Sequence, residues 1–311
     1  MHARSFGRWM GVFLGAVLAL GACGDDDSGP GPDSGVDAAA AGDAAPGVDA
    51  GPGPDAAPGV DAAPSDGGQP LLWQVPTGTT WHIQYSDTPV DTSVDVQMYD
   101  IDLFDTPHST IDALHAAGRH VICYFSAGSY ENWRPDEADF PVASLGNNLA
   151  GWPGERWLDV RHTGLQPVMA ARLDLAVSKS CDGVDPDNVD GYTNNSGFGL
   201  TYADQLAYNS WMAGQAHDRG LAVGLKNDLD QIVDLEPLYD FAVNEECLDF
   251  NECDLLNPFV ISGKAVFHLE YVDQPADGPA KQSQVCGQAV IQSFSTLIKT
   301  WDLDAWFLDC P

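Results

Sequence analysis

Eight short apolar runs, alternating with helical patterns and each ending on a polar side chain, most constrain how this chain can fold. The runs cover 81–85, 94–99, 121–125, 183–186, 222–225, 241–244, 265–271 and 305–308. Helical periodicity lies between several of them. One helix is expected over 110–117, closed by Gly118. A second is expected over 201–219, opened by Thr201 with Asp204 three residues on and closed by Gly220. A third is expected over 291–297. Strands alternating with helices predict a parallel sheet, and eight repeats predict a single (β/α)8 barrel of the TIM type rather than an open sheet. No glycine-rich phosphate fingerprint follows the first run, which argues against dinucleotide binding.

The barrel pattern occupies residues 71–311. Before it, the composition changes abruptly at Gln69-Pro70. Residues 24–70 contain only Asp, Ala, Gly, Pro, Val, Ser and one Gln, in recurring words such as GVDA and DAAP. A tract without aromatic residues cannot bury enough surface to offset its chain entropy, so a disordered acidic tether is expected there. Residues 1–22 read as a lipoprotein signal peptide: Arg4 and Arg8 precede an apolar stretch from Trp9 to Leu20. Small residues then lead to Cys23, the expected lipidation site, so that 23–70 is a lipidated linker. The expected location is the cell envelope, with membrane attachment only through that anchor, or the extracellular space.

Export fits the cysteine count. Six cysteines remain in the barrel region: Cys123, Cys181, Cys247, Cys253, Cys286 and Cys310. An even number in an exported chain suggests disulfides, although six cysteines allow fifteen pairings. Cys247 with Cys253 is expected from their short spacing, Cys286 with Cys310 would tie a late helix to the chain end, and Cys123 with Cys181 is what remains. No CxxC, HxH or HExxH spacing occurs, so no metal and no cofactor are expected. Charge excludes another class of partner. In 71–311, 36 Asp and Glu face 11 Lys and Arg. Nucleic acid is not expected on such a surface, whereas cations would be attracted.

In barrels, chemistry collects where strands run out at their C-terminal ends. Here those ends carry Ser86 near Tyr85, then Asp100 and Asp102, then Tyr124 and Ser126, then Asp185, Asp187 and Asn188. The later runs end on Lys226 with Asn227 and Asp228, Asn244 with Glu245, Glu270 with Tyr271, and Asp309. Two carboxylates facing each other across a pocket are what hydrolysis of a glycosidic bond needs. Asp187 and Glu245, two strands apart, are the expected catalytic pair. Asp185 shares a strand face with Asp187, and Lys226 is expected to pair with Asp185 and hold it ionised. Tyr85, Trp133 and Tyr271 are candidates for stacking on sugar faces.

The runs MYDIDLFDT, VICYFSAGSYENWRP, GERWLDVR, CDGVDPDNVDGY, DQLAYN, GLAVGLKND, VNEEC and VFHLEY occur in this order. With them the chain resembles the endo-α-1,4-polygalactosaminidases, glycoside hydrolase family 114, from about Trp81 to Pro311. The resemblance implies a (β/α)8 barrel and endo-cleavage of α-1,4-linked galactosamine polymers, which are cationic when deacetylated. It places the catalytic Asp of the DPDN motif on Asp187 and the catalytic Glu of the NE-x-C motif on Glu245. The substrate-binding set implied at the rim is Tyr85, Asp100, Asp102, Tyr124, Asp185, Asn188, Lys226, Asn244, Glu270 and Tyr271. A retaining two-carboxylate mechanism is expected. The alternative is a carbohydrate-binding barrel lipoprotein without turnover.

Overall fold

The computed structural model describes residues 72–310. The signal, lipidation and tether expectations for 1–70 lie outside the described residues. Eight parallel strands form one sheet in sequence order: β1 Trp81–Gln84, β2 Met98–Asp102, β3 His120–Ser126, β4 Gly183–Asp187, β5 Ala222–Lys226, β6 Phe241–Glu245, β7 Val266–Val272 and β8 Ser295–Thr300. The sheet curls until β1 and β8 meet at a seam that side chains close. The Trp81 indole donates to the Ser295 carbonyl at 2.9 Å, Ser295 Oγ donates to the Thr79 carbonyl at 2.7 Å, and Lys299 Nζ donates to the Ile83 carbonyl at 2.9 Å. Burial pulls the Lys299 ammonium down to about 8, the charge of Asp304 only partly opposing it.

The period of two along each strand builds two apolar layers. Trp81, Met98, Ile122, Phe241, Phe267 and Leu297 form an inner cluster. Their neighbours one residue on, such as Tyr99, Cys123, Val223 and Ala242, pack outward. There they meet helices α1 (His108–Ala116), α2 (Leu165–Ser178) and α3 (Tyr202–His217), through Leu114, Met169 and Met212 among others. Gly224 is required in the inner layer, because a Cβ there would sit 2.3 Å from the Phe241 ring. The Thr201–Asp204 capping box that opens α3 is present in both directions.

Four elements differ from the sequence reading. Strand β2 is Met98–Asp102 where 94–99 was expected, so Asp100 and Asp102 lie within the strand and not after it. The eighth barrel strand is Ser295–Thr300, part of which had the look of a helix over 291–297. Leu308–Asp309 instead returns antiparallel to it, with Ile298 opposite Leu308, so exposed Asp309 does not belong to the rim. The helix before β8 is Gly278–Val285. Finally, a three-stranded antiparallel sheet (Ser129–Glu131, Leu145–Asn148, Glu155–Leu158) is inserted between β3 and α2. It starts at Gly128, where a Cβ would lie 1.7 Å from the Asn188 carbonyl oxygen. Only glycine allows this approach, which seats the insert against the end of β4.

The disulfides are Cys123–Cys181, Cys247–Cys253 and Cys286–Cys310. The first ties β3 to the segment entering β4. The last ties the helix Gly278–Val285 to the returning tail. Among the described residues no helix is long and apolar enough to cross a membrane.

Candidate active site

A cleft of about 760 Å³ opens at the C-terminal ends of the strands. Its floor is built by inner-face positions one step beyond the apolar layer. Phe241 and Val243 lead to Glu245, Phe267 and Leu269 to Tyr271, and Ala222 and Gly224 to Lys226. The same alternation that fills the barrel therefore aims polar groups into its mouth.

Lys226 is the centre of the floor. It is 2% exposed, and its Nζ lies 3.6 Å from Asp187 Oδ1, 3.6 Å from Glu245 Oε2 and 3.8 Å from Asp185 Oδ2. It is thus a shared counter-ion rather than the private partner of Asp185. The three carboxylates, Asp187 foremost, hold its ammonium well above the ordinary lysine range despite burial. The two oxygens of Asp187 and Glu245 that face it are separated by no more than twice 3.6 Å.

Each carboxylate is further oriented by a phenol. Tyr124 donates to Asp187 Oδ2 at 3.0 Å, and Tyr271 donates to Glu245 Oε1 at 2.6 Å. Tyr85 donates to Asp185 Oδ2 at 3.3 Å. Burial pushes all three phenols well above their ordinary range, so they serve as neutral donors. The Asn188 backbone N–H donates to Asp187 Oδ1 at 2.7 Å, and Asn227 Nδ2 donates to Glu245 Oε2 at 3.1 Å. Tight left-handed turns follow these strands: φ is 62° at Asn188, 49° at Asn227 and 63° at Glu246. Asn tolerates that region, whereas Glu246 pays a strain of order 1 kcal/mol to hold its neighbour in place.

Two carboxylates face the cleft, partly exposed, with a cation shared beneath them and fixed donors behind. This is the equipment of a glycosidase. The Glycoside-hydrolase family GH114 model matches residues 62–311. The chain belongs to that family, and it is a glycoside hydrolase.

Solved structures agree. The crystal structure of Aspergillus fumigatus Ega3 in complex with galactosamine is 45% identical, with a TM-score of 0.72 over 77% of this chain and 98% of that one. The glycoside hydrolase domain of PelA from Pseudomonas aeruginosa shares the fold at 11% identity, with a TM-score of 0.60 over 74% and 97%. A Deinococcus radiodurans protein called uncharacterized is 26% identical over 200 residues. That match covers 57% of this hydrolase and 65% of the length of that relative.

Of the expected binding residues, Tyr85, Asp102, Tyr124, Asn188, Lys226 and Tyr271 line the cleft together with Asp187 and Glu245. Four do not reach it. Asp185 is fully buried beneath the floor, and burial raises its carboxyl to about 7, Lys226 only partly opposing this; the expectation that Lys226 holds it firmly ionised is corrected. Asp100 is fully buried as well. Desolvation, then the charge of Asp185, raises it well above the carboxylate range. Asn244 donates to Asn227 Oδ1 at 3.3 Å and so acts behind Glu245. Glu270 points away from the mouth, bonded to His268 at 3.1 Å and to Lys281 at 2.8 Å. Asp102 reaches the cleft as the clamp of Arg134, accepting from both guanidinium nitrogens at 3.0 and 2.7 Å.

The sequence reading missed Trp301, which stacks on Tyr271 with centroids 4.2 Å apart. Its signal was its place directly after the true eighth strand. Also missed were Trp152, Trp157 and Glu155 of the insert, which line the opposite wall of the cleft.

The density of buried acids has a measurable consequence. Burial is the first cause that raises Asp185 and Glu246 to about 7 and Glu155 and Asp228 to about 8. A carboxyl raised in the folded state keeps a proton that the unfolded chain has already lost, so its contribution to stability fades as pH rises to the folded value. His82, lowered to about 4, acts in the opposite sense only below its ordinary value of 6.5. The melting temperature, followed by circular dichroism, is therefore expected to fall between about pH 6.5 and 8. A flat or rising profile there would contradict these assignments.

Proposed function

We propose that this hydrolase cleaves α-1,4-linked galactosamine polymers internally, with retention of anomeric configuration. Asp187 is the nucleophile and Glu245 the general acid/base. The observation that carries this is the single ammonium of Lys226 seated against both carboxylates at the bottom of an open cleft. A common cation draws the two groups together, which favours direct attack by Asp187 over insertion of a water between them. Asn188 and Tyr124 hold Asp187 toward the anomeric carbon. Tyr271 and Asn227 hold Glu245 toward the glycosidic oxygen. Glu245 protonates the leaving sugar, Asp187 forms the glycosyl ester, and Glu245 then deprotonates the water that releases it.

Two features support the cationic polymer. Acids far outnumber bases in the cleft wall, where Lys226 and Arg134 are both already committed to carboxylates. Exposed Trp133 and Trp152 on one wall and Trp301 on the other offer faces for successive sugar rings, which suits an endo mode. Location at the cell envelope through a lipidated Cys23 is part of the same proposal.

The test is incubation of the purified enzyme with deacetylated and fully N-acetylated α-1,4-galactosamine oligomers, with product masses as the readout. Internal cleavage of the deacetylated chain is expected. KM for it should rise with ionic strength, because attraction between an acidic cleft and a polyammonium chain is screened. Cleavage of the acetylated chain alone, or a KM flat in salt, would reject the cationic assignment.

A further inference from the structure

Three acids that line the cleft are more than nine-tenths buried: Asp102 at 4%, Glu131 at 2% and Glu155 at 6% exposure. Two of them own a cation. Asp102 is clamped by Arg134, and Glu131 accepts from Arg134 Nε at 2.9 Å with Arg172 at 3.7 Å from its other oxygen. Glu155 has no Lys, Arg or His nitrogen within 4.0 Å among the described residues. Its one bonded oxygen, Oε2, accepts from Ser129 Oγ at 2.8 Å. Ser129 in turn meets Ser126 Oγ at 2.7 Å, and both hydroxyls accept from the Asn188 amide at 3.0 and 3.3 Å. Glu155 is thus coupled through three short contacts to the residue that follows the nucleophile.

A buried carboxyl is expensive to ionise without a cation. The protein supplies one for its two neighbours and withholds it here. We propose that Glu155 is the residue by which the cleft selects a free amine: a substrate ammonium is its missing counter-ion. The inference rests on the cationic substrate proposed above.

The charged and titratable groups facing Glu155 are Glu131 and Arg134 of the insert, Tyr124 of β3 and Asp187 of β4. Burial is the largest influence and holds the empty carboxyl up near 8. It therefore carries a proton at neutral pH in the free enzyme. Arrival of an ammonium favours the carboxylate, and the proton leaves to solvent. An N-acetylated sugar brings no charge and displaces no proton. Selection for the deacetylated unit is then built into the energetics of one side chain, and because binding releases a proton it weakens as pH falls below the carboxyl's value near 8.

The experiment compares wild type with Glu155→Gln, which keeps the shape and the Ser129 contact of the neutral acid. KM for deacetylated oligomers is expected to rise by about ten- to a hundredfold, the worth of a charge-assisted hydrogen bond, with kcat changed by less than about threefold. Titration calorimetry in two buffers of different ionisation enthalpy, on the inactive Glu245→Gln background at pH 7, is expected to show a proton released on binding. The double variant with Glu155→Gln should release none. Unchanged KM and unchanged proton release in Glu155→Gln, with a wild type that does cleave the deacetylated chain, would overturn the role of Glu155. A wild type that ignores the deacetylated chain would instead reject the substrate. Should Glu155→Gln prove unstable, Glu155→Asp provides the same readout. It keeps the charge but withdraws it, so KM should rise while proton release persists, and an unchanged KM would count against the proposal.

Discussion

Asp187→Asn and Glu245→Gln are each expected to lower kcat by about 10²–10⁴-fold or more while leaving the fold intact, because each removes a group that acts only on the reacting atoms. Both side chains are isosteric with the originals. They keep an acceptor for Tyr124 or Tyr271, so the cleft wall should not rearrange. The two losses should not multiply in the double variant, since the carboxylates act in one sequence of steps. Kinetics on a deacetylated oligomer together with a circular dichroism melt would check this. A Glu245→Gln enzyme at wild-type rate would exclude Glu245. Glu246 would then be the next carboxyl to test, as the half-buried acid that shares the cleft.

The second large effect belongs to Lys226. Lys226→Met keeps the length of the stem but removes the cation shared by Asp187, Glu245 and Asp185. Breaking a buried ion pair by deleting one partner costs about 3–5 kcal/mol. The loss should fall toward the lower end, because Asp187 and Glu245 are partly exposed, at 19% and 26%, and Asp185 can take up a proton. Activity should suffer in a characteristic way. Without the ammonium, ionisation of the floor requires higher pH, so the acid limb of the pH–rate profile should move upward. Urea denaturation and the pH dependence of kcat/KM measure the two consequences. A variant with wild-type stability and an unmoved acid limb would mean that the lysine is a bystander.

Lys226 also shows where sequence reasoning stopped. Strands β1 and β3 to β7 were legible because each is a short apolar run that ends on polar residues, whereas β2 was placed four residues early because its buried Asp100 and Asp102 interrupt the apolar run. The two carboxylates proposed as the catalytic pair were legible as strand ends for the same reason: Asp187 and Glu245 are the last residues of β4 and β6. What the pattern could not give was which carboxylate Lys226 would meet, since a four-carbon stem on β5 can reach strands on either side. It reached all three.

The misplaced eighth strand has a different cause. Ser295–Thr300 carries Lys299, and a lysine near the end of a run argues against a fully buried strand. In the fold that lysine is buried and spends its donors on the seam carbonyls of Ile83 and Asp304. With the strand displaced, Trp301 lost its place at the rim. Helix α2 was missed because Arg172 interrupts its apolar stripe. Arg172 is nonetheless 1% exposed, held by Asp136 at 2.8 Å and by the Ser126 carbonyl. The insert was missed because strands of three or four residues, one of them LGNN, fixed by Arg134, Glu131 and Ser129 rather than by an apolar face, leave no period to read. The part of the site least visible in the sequence is thus the wall held by buried charge, and it is there that Glu155 sits.

In the proposed mechanism Asp187 attacks the anomeric carbon and Glu245 manages the proton. Proton NMR of the reducing ends formed in the first moments of cleavage of a deacetylated α-1,4-galactosamine oligomer tests it most directly. The α-anomer is expected to appear first and then to mutarotate toward equilibrium; a β-anomer formed first would mean that water, not Asp187, attacks the sugar.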